Sequence, residues 1–386
     1  MQYRKFGKLD WKASALGFGC MRLPTIGGDS GNIDQKKTTE MIRRAIDAGL
    51  NYVDTAYVYH GQKSEIALGK ALADGYRERV RIATKLPIWM VEKSEDFDSM
   101  LDDELKRLQT DVIDFYLMHG LDQEKWEKVQ NLGLLKKAEA AIADGRIRYV
   151  GFSFHDSLDV FKKIVDSYNG WTFCQIQYNY MDINFQAGSE GLHYAADKGL
   201  AVVIMEPLRG GKLAADVPAA KPIWSSAEKK RKPADWAFQW LWNQPEVSLV
   251  LSGMSTLEQV EENLVSADNS RIGLLNEEEN ALVSKVRETL IGLSPVDCTR
   301  CEYCLPCPNG VNIPRIFDYY NRAAMYNDLE NTRSQYKNNV TDDQKAINCI
   351  QCDECLPKCP QNIPISEWMP VIEDVLGNDQ PYQTKP

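Results

Sequence analysis

Between residues 10 and 290, short apolar runs alternate with longer segments whose apolar residues recur every three or four positions. The runs are ALGFGCMRL (15–23), YVDTA (52–56), RIATKL (81–86), VIDFYLMH (112–119), YVGFSF (149–154), FCQIQYN (173–179), AVVIMEPL (201–208) and VSLVLSG (247–253). Their length and their β-branched and aromatic content predict parallel strands buried on both faces. The segments between them, such as KTTEMIRRAIDAG, SMLDDELKRLQ, LLKKAEAAIADG, DVFKKIVDSY and ADWAFQWLWNQ, have helical spacing, and several stop at Gly or Asn. Eight strands with eight following helices over about 250 residues is the count of a (β/α)8 TIM barrel. An open doubly wound sheet is the rival architecture. It usually carries G-x-G-x-x-G after its first strand, and GFGCMR is not that motif. The opening MQYRKFGKLDWKAS predicts a short hairpin that could plug the barrel floor.

The pattern changes near Ser294-Pro295, after a helical segment NEEENALVSKVRETL. This divides the chain into an α/β barrel over residues 1–293 and a small second domain over 294–386, with a helical insert at 314–340. Composition adds that 44% of residues are hydrophobic and the formal net charge is −10, which argues against nucleic acid or an anionic membrane as partner. No apolar run is long enough to span a bilayer. The N-terminus lacks a secretory apolar region. A cytoplasmic protein is therefore expected.

Cysteine is distributed unevenly. Cys20 and Cys174 stand alone in apolar runs and read as core residues. The other eight form Cys298-x2-Cys301-x2-Cys304-x2-Cys307-Pro and Cys349-x2-Cys352-x2-Cys355-x3-Cys359-Pro. The groups are an internal repeat, CTRCEYCLPCPNGVNIP against CIQCDECLPKCPQNIP, one residue shorter before the last cysteine in the first copy. Grouped cysteines in a reducing compartment point to metal rather than disulfides. Structural zinc is the bland alternative, but zinc ribbons separate their CxxC pairs by longer loops. The repeat resembles bacterial two-cluster ferredoxins, which implies two [4Fe–4S] clusters. In that pattern three close cysteines face one cubane and the fourth reaches the other cluster. The resemblance thus assigns Cys298, Cys301, Cys304 and Cys359 to one cluster, and Cys349, Cys352, Cys355 and Cys307 to the other.

Four polar residues fall at the predicted C-terminal ends of successive strands: Asp54 and Tyr59, Lys85, and His119. That end is where barrel enzymes assemble their sites. A buried Lys or Asp is costly unless paired, so Asp54 and Lys85 read as mutual partners. The motifs NYVDTAYVYHGQKSEIALGKAL, IATKL, IDFYLMH and GRIRYVGFS, in this order, resemble the aldo-keto reductase superfamily over residues 1 to about 290. The resemblance implies hydride transfer from a nicotinamide to a carbonyl. Tyr59 would protonate the alkoxide, Lys85 would draw its phenol from a pKa of about 10 toward the working pH, and Asp54 would hold Lys85 charged. His119 would orient the substrate oxygen. His60 and His155 could line the same pocket. Trp236, Trp240 and Trp242 read as helix packing.

The resemblance extends to the nucleotide, with gaps. Gly19 and Met21 follow the first strand, and Ser153 and Gln175 match the positions that hold the carboxamide, although Phe154 replaces the customary Asn. Met205 stands where the family stacks an aromatic ring; sulfur can pack on a ring as well. Pro207, Leu208 and Gly211, in a glycine-bearing loop, could close over the pyrophosphate. GMSTLEQVEEN would hold the adenosine phosphate at a helix N-terminus, capped by Ser255 or Thr256, with Glu262 and Asn263 reaching adenine. Gly253 and Gln259 occupy the places of the basic residues that clamp a 2′-phosphate, which predicts a weaker NADP preference than the family norm and leaves NAD open as the cofactor.

The leading expectation is an NAD(P)(H)-dependent reductase of a small-molecule carbonyl. One-electron clusters beside a two-electron hydride donor raise an alternative: an oxidoreductase coupled to a redox partner protein, using a flavin or a radical-competent substrate. A non-catalytic nucleotide-binding redox sensor is the third reading.

Overall fold

A computed structural model describes residues 1–386. The chain divides into two compact units, Met1–Ala214 with Arg231–Asn280, and Ala215–Lys230 with Ala281–Pro386.

The first unit opens with an antiparallel hairpin, β1 (Tyr3–Lys5) and β2 (Lys12–Ser14). Eight parallel strands then close into a barrel: β3 (Leu16–Gly19), β4 (Tyr52–Asp54), β5 (Arg81–Pro87), β6 (Ile113–Leu121), β7 (Ile147–Phe154), β8 (Phe173–Gln177), β9 (Ala201–Met205) and β10 (Val247–Gly253). β10 pairs with β3 to complete the circle, which rules out the open sheet. The helices between and after these strands are α1 (Gln35–Asp47), α2 (Ser64–Ala71), α3 (Asp96–Leu108), α4 (Gln123–Asn131), α5 (Leu134–Ala143), α6 (Leu158–Asp166), α7 (Gly188–Asp197), α8 (Lys221–Ser226), α9 (Pro233–Trp242) and α10 (Leu257–Asp268). Of these, α8 lies in the second unit.

Side chains alternate across each strand, so one set faces the helices and the other the barrel axis. Leu16, Phe18, Val53, Ile82, Phe152, Cys174, Val202 and Val250 belong to the large cluster shared with the helices. Tyr52, Ala83, Phe115, Leu117, Phe173, Ala201, Val203 and Leu249 form a separate, axial cluster. The hairpin contributes Phe6 and Ala13 to this axial cluster, with the Phe6 ring 4.8 Å from Phe115 and 5.9 Å from Phe173. The expected floor plug is present. Trp236 and Trp242 are fully buried in α9, and Trp242 donates Nε1–H to the Ala15 carbonyl at 2.9 Å, a packing role.

The second unit contains α11 (Glu277–Ile291, from Ala281 onward), α12 (Ile313–Met325), α13 (Leu329–Asn339) and α14 (Ile365–Ile372). Ile316, Phe317, Tyr320, Tyr336, Trp368, Met369 and Val375 form its core; six of the eight grouped cysteines sit in or against it, while Cys301 and Cys352 are exposed. No helix of the chain is long and apolar enough to cross a membrane.

Candidate active site and cluster ligands

Strand alternation brings the site together. Two residues beyond the axial cluster, on the same face, lie Asp54 on β4, Lys85 on β5, His119 on β6, Gln175 on β8 and Met205 on β9. Lys85 is 1% exposed, and its Nζ donates to Asp54 Oδ1 and to the Thr55 carbonyl, both at 2.6 Å. Burial works against the Lys85 charge, but Asp54 and Tyr59 outweigh it and hold the ammonium above its usual range.

Tyr59 lies in the turn after β4, with Lys85 Nζ 5.0 Å from its ring centroid and the His119 ring 6.2 Å away, edge on. The expectation that Lys85 brings the phenol toward the working pH needs correction. Burial raises the Tyr59 pKa, Lys85 lowers it, Asp54 raises it again, and the net direction is up. Desolvation penalises phenolate more than one ammonium restores, so Tyr59 keeps its proton. Burial, then Lys85, also push His119 well below the usual histidine range, leaving a neutral imidazole. Its Nδ1 is buried without a hydrogen-bond partner, and Trp89 tilts against the ring at 4.9 Å.

The nucleotide expectations are met unevenly. Gln175 Nε2 donates to Asp54 Oδ2 at 3.1 Å, and Ser153 Oγ accepts the Gly120 N–H at 2.7 Å; both side chains are engaged within the chain. Met205 is half-buried at the end of β9 and Met21 is exposed. Pro207, Leu208 and Gly211 lie in the turn after β9, where Gly211 adopts φ +91° with open space at its Cβ position. Thr256, not Ser255, caps α10 by accepting the Gln259 N–H at 3.2 Å. Gln259 Oε1 in turn accepts the Ser255 N–H at 2.8 Å. Glu262 pairs with Lys232, and Asn263 donates to Ser252 Oγ at 3.1 Å.

Three features had no signal in the sequence. The Ser64 hydroxyl lies 2.9 Å from Thr55 Oγ1 and donates to the Cys20 carbonyl at 3.1 Å, bracing the turn whose Thr55 carbonyl receives Lys85. Arg22 runs along Gly253: a Cβ there would meet the Arg22 Cβ and Cγ at 3.3 Å, and one at Gly210 would sit 3.8 Å from Arg22 Nη2. A cation thus enters between the two glycine-bearing turns from the first strand rather than the eighth. Third, Leu23, Pro24 and Thr25, Lys37, Glu40 and Met41 of α1, and Ser255, Thr256 and Leu257 line an open cavity of about 520 Å³. That is within the usual size of a cofactor pocket.

In the second unit two cavities divide the cysteines. One is walled by Cys298, Cys301, Cys304 and Cys359, with Pro314, Phe317 and Ile363. The other is walled by Cys307, Cys349, Cys352 and Cys355, with Cys304, Val311 and Met369 also at its edge. Each wall draws its last cysteine from the opposite repeat. Burial, and then neighbouring thiols, raise Cys304 and Cys355 to about 11. Yet no three His, Cys, Asp or Glu side chains converge closely enough to hold a single metal ion. Thiols that face one small cavity without converging on a point suit a cubane, whose four irons keep their ligands apart.

A closed parallel barrel with a buried Asp–Lys pair, a tyrosine and a neutral histidine at its C-terminal mouth defines an oxidoreductase scaffold. Residues 15–288 match the Aldo/keto reductase family, and residues 297–363 match the 4Fe-4S dicluster domain. The chain belongs to the aldo/keto reductase family and carries a ferredoxin-like dicluster domain after the barrel. It is 30% identical over 292 residues to an L-galactose dehydrogenase of Arabidopsis thaliana, spanning 69% of this chain and 88% of that protein. A probable aldo-keto reductase 1 of Glycine max is 27% identical over 295 residues, 67% of this chain and 82% of its own length. Among solved structures, the holo form of an aldo-keto reductase from Bacillus halodurans superposes with a TM-score of 0.62 at 27% identity, covering 74% of this chain and 96% of that one.

Proposed function

We propose that the barrel reduces a small-molecule carbonyl to an alcohol, and that the observation carrying this is the buried Asp54–Lys85 pair beside a Tyr59 that keeps its proton. A nicotinamide dinucleotide, when bound, supplies the hydride. Tyr59 gives its proton to the developing alkoxide, and the Lys85 ammonium stabilises the phenolate left behind. Asp54 and the Thr55 carbonyl fix Lys85. His119, neutral, offers the carbonyl oxygen a hydrogen bond without competing for the proton. Arg22, Gly210, Gly211 and the α10 N-terminus would hold the diphosphate. Gln259 occupies the Ser255 amide, Glu40 lines the cavity wall and Lys37 lies 3.4 Å from Asp34, a set that favours NAD over NADP. The boundary between the two functions is proposed at residues 293/294, a reading supported by family matches that end at 288 and begin at 297. Tyr59→Phe is expected to lower kcat for an aldehyde panel by roughly 100-fold or more, the scale of a lost general acid. Iron and sulfide content should stay unchanged. Retained turnover in that variant overturns the reading.

A second reading concerns the clusters, which supply one-electron transfer when bound. The cysteines of the two cavities would ligate them in the crossed pattern. Ile347 and Ile350, 66% and 69% exposed, lie at the start of the second cysteine group, where Asp353 and Glu354 outnumber Lys358 in the cavity lining. An apolar centre with an acidic rim fits a one-electron carrier protein with a basic face. Mixing the anaerobically reduced protein with a basic c-type cytochrome should give an oxidation rate that falls with ionic strength and falls again in Ile350→Lys. A rate indifferent to both would remove this reading.

A further inference from the structure

His60, the residue after Tyr59, engages both ring nitrogens. Its Nε2 accepts the Leu23 backbone N–H at 3.2 Å, and its Nδ1 lies 2.7 Å from the Ser30 carbonyl. A carbonyl can only accept and a backbone amide can only donate. The pair therefore requires one protonation state, the neutral imidazole with hydrogen on Nδ1. The backbone at His60 is left-handed, φ 52°, followed by Gly61 at 60° and Gln62 at 69°. A non-glycine residue in that region costs free energy, so its surroundings must hold it there. Here the two imidazole bonds and the Ser64 N–H donating to the Tyr59 carbonyl at 3.3 Å do so.

The partners of His60 belong to the loop after β3. Leu23 follows Arg22, the cation that runs between Gly253 and Gly210, and Leu23, Pro24 and Thr25 form one wall of the 520 Å³ cavity. Ser30 lies in the same loop, which is closed on itself by a bridge between Thr25 and Ile33 and by the Asp34 N–H donating to the Pro24 carbonyl at 2.8 Å. One imidazole thus joins the wall of the cavity to the turn that carries the proton donor.

We infer that His60 is a positioning residue that couples occupancy of the nucleotide cavity to the placement of Tyr59. Nucleotide phosphates that draw in Arg22 pull on Leu23, and the Leu23 bond to Nε2 passes that constraint to the residue beside Tyr59. In return, the imidazole pre-orders the loop after β3, so less freedom is lost when the nucleotide binds. The inference rests on the reading of Tyr59 and of the cavity given above.

The test uses the full-length holoprotein and two substitutions. His60→Gly keeps the left-handed backbone without strain and removes both bonds. His60→Asn tolerates the same backbone and keeps one donor and one acceptor, though with a shorter reach. NADH affinity is read from quenching of tryptophan fluorescence, without turnover; kcat, KM and thermal midpoint are read alongside. With two hydrogen bonds lost, His60→Gly should weaken NADH binding about tenfold and lower kcat about tenfold, with Asn recovering part of both. The thermal midpoint of the Gly variant should move by only a few degrees. Unchanged NADH affinity in His60→Gly overturns the inference, as does a loss of both properties that Asn does not relieve. Failure of the reductase reading would look different: Tyr59→Phe would keep turnover, while the affinity change in His60→Gly would still be measurable.

Discussion

A second buried carboxyl cluster lies on the helix-facing side of the strand that carries Lys85. Glu65 on α2 and Glu104 on α3 are both fully buried; Glu65 Oε1 accepts the Thr84 hydroxyl at 2.6 Å and Arg107 lies 3.3 Å from its Oε2. The Glu104 carboxyl faces the buried Tyr116 hydroxyl. Burial, and then the Glu65 charge, push Glu104 well above the usual carboxylate range, favouring its uncharged form in the folded protein. A carboxyl with a raised folded pKa gives stability that is complete below the ordinary range. That stability is lost as pH rises through the folded value. Glu104→Gln should therefore match the wild type in acid and exceed it in alkali, by roughly 1–3 kcal/mol at the alkaline end. Thermal midpoints measured from acid to alkaline pH check this: a gap that narrows as pH rises would contradict the assignment.

The strands show how far the sequence could be read. Parallel strands, buried on both faces, appear as continuous apolar runs, and all eight were legible within a few residues of their ends. What the runs did not show was which face of each strand points inward. Once the axial cluster is known, period-two alternation places Asp54, Lys85, His119, Gln175 and Met205 together without further information. The glycines mark the tightest points of this layer. A Cβ on Gly151 of β7 would lie 2.5 Å from the Phe173 ring and 2.6 Å from its carbonyl oxygen. Gly151→Ala should cost about 1–3 kcal/mol by overpacking, read as a lower denaturant midpoint with little change in slope. Asp122, which caps α4 by accepting the Lys125 N–H at 2.8 Å, should cost about 1 kcal/mol when replaced by Ala. The residues that sequence missed share a reason. Arg22 and Ser64 act through backbone groups or across loops, as do the bonds of His60, and such contacts leave no spacing to detect. The direction of the Tyr59 pKa was misjudged because burial cannot be counted from a motif that supplies only the neighbouring charge.

At the scale of the molecule, the second unit is a repeat whose halves finish each other. Cys359 stands with the first group and Cys307 with the second, so the two cavities exchange one wall residue each. Removing a crossing ligand tests this. Cys359→Ser should lower iron from about eight per chain toward four, and the cluster lost should be that of Cys298, Cys301 and Cys304. Spectra of the remaining cluster would then match those of Cys298→Ser rather than Cys349→Ser. The repeat was plain in the sequence because cluster ligation demands close spacing. The exposed pair Ile347 and Ile350 was not, because composition does not report exposure.

The hairpin at the start of the chain has a last consequence. With Phe6 seated among Phe115 and Phe173, the barrel is stoppered at one end and open at the other. It is a cul-de-sac. Whatever reaches Tyr59 must leave by the way it came, past the same turns that would grip the nucleotide. For the proposed reduction, entry and exit would be sequential events at one doorway, and release through it would be able to set the pace of turnover.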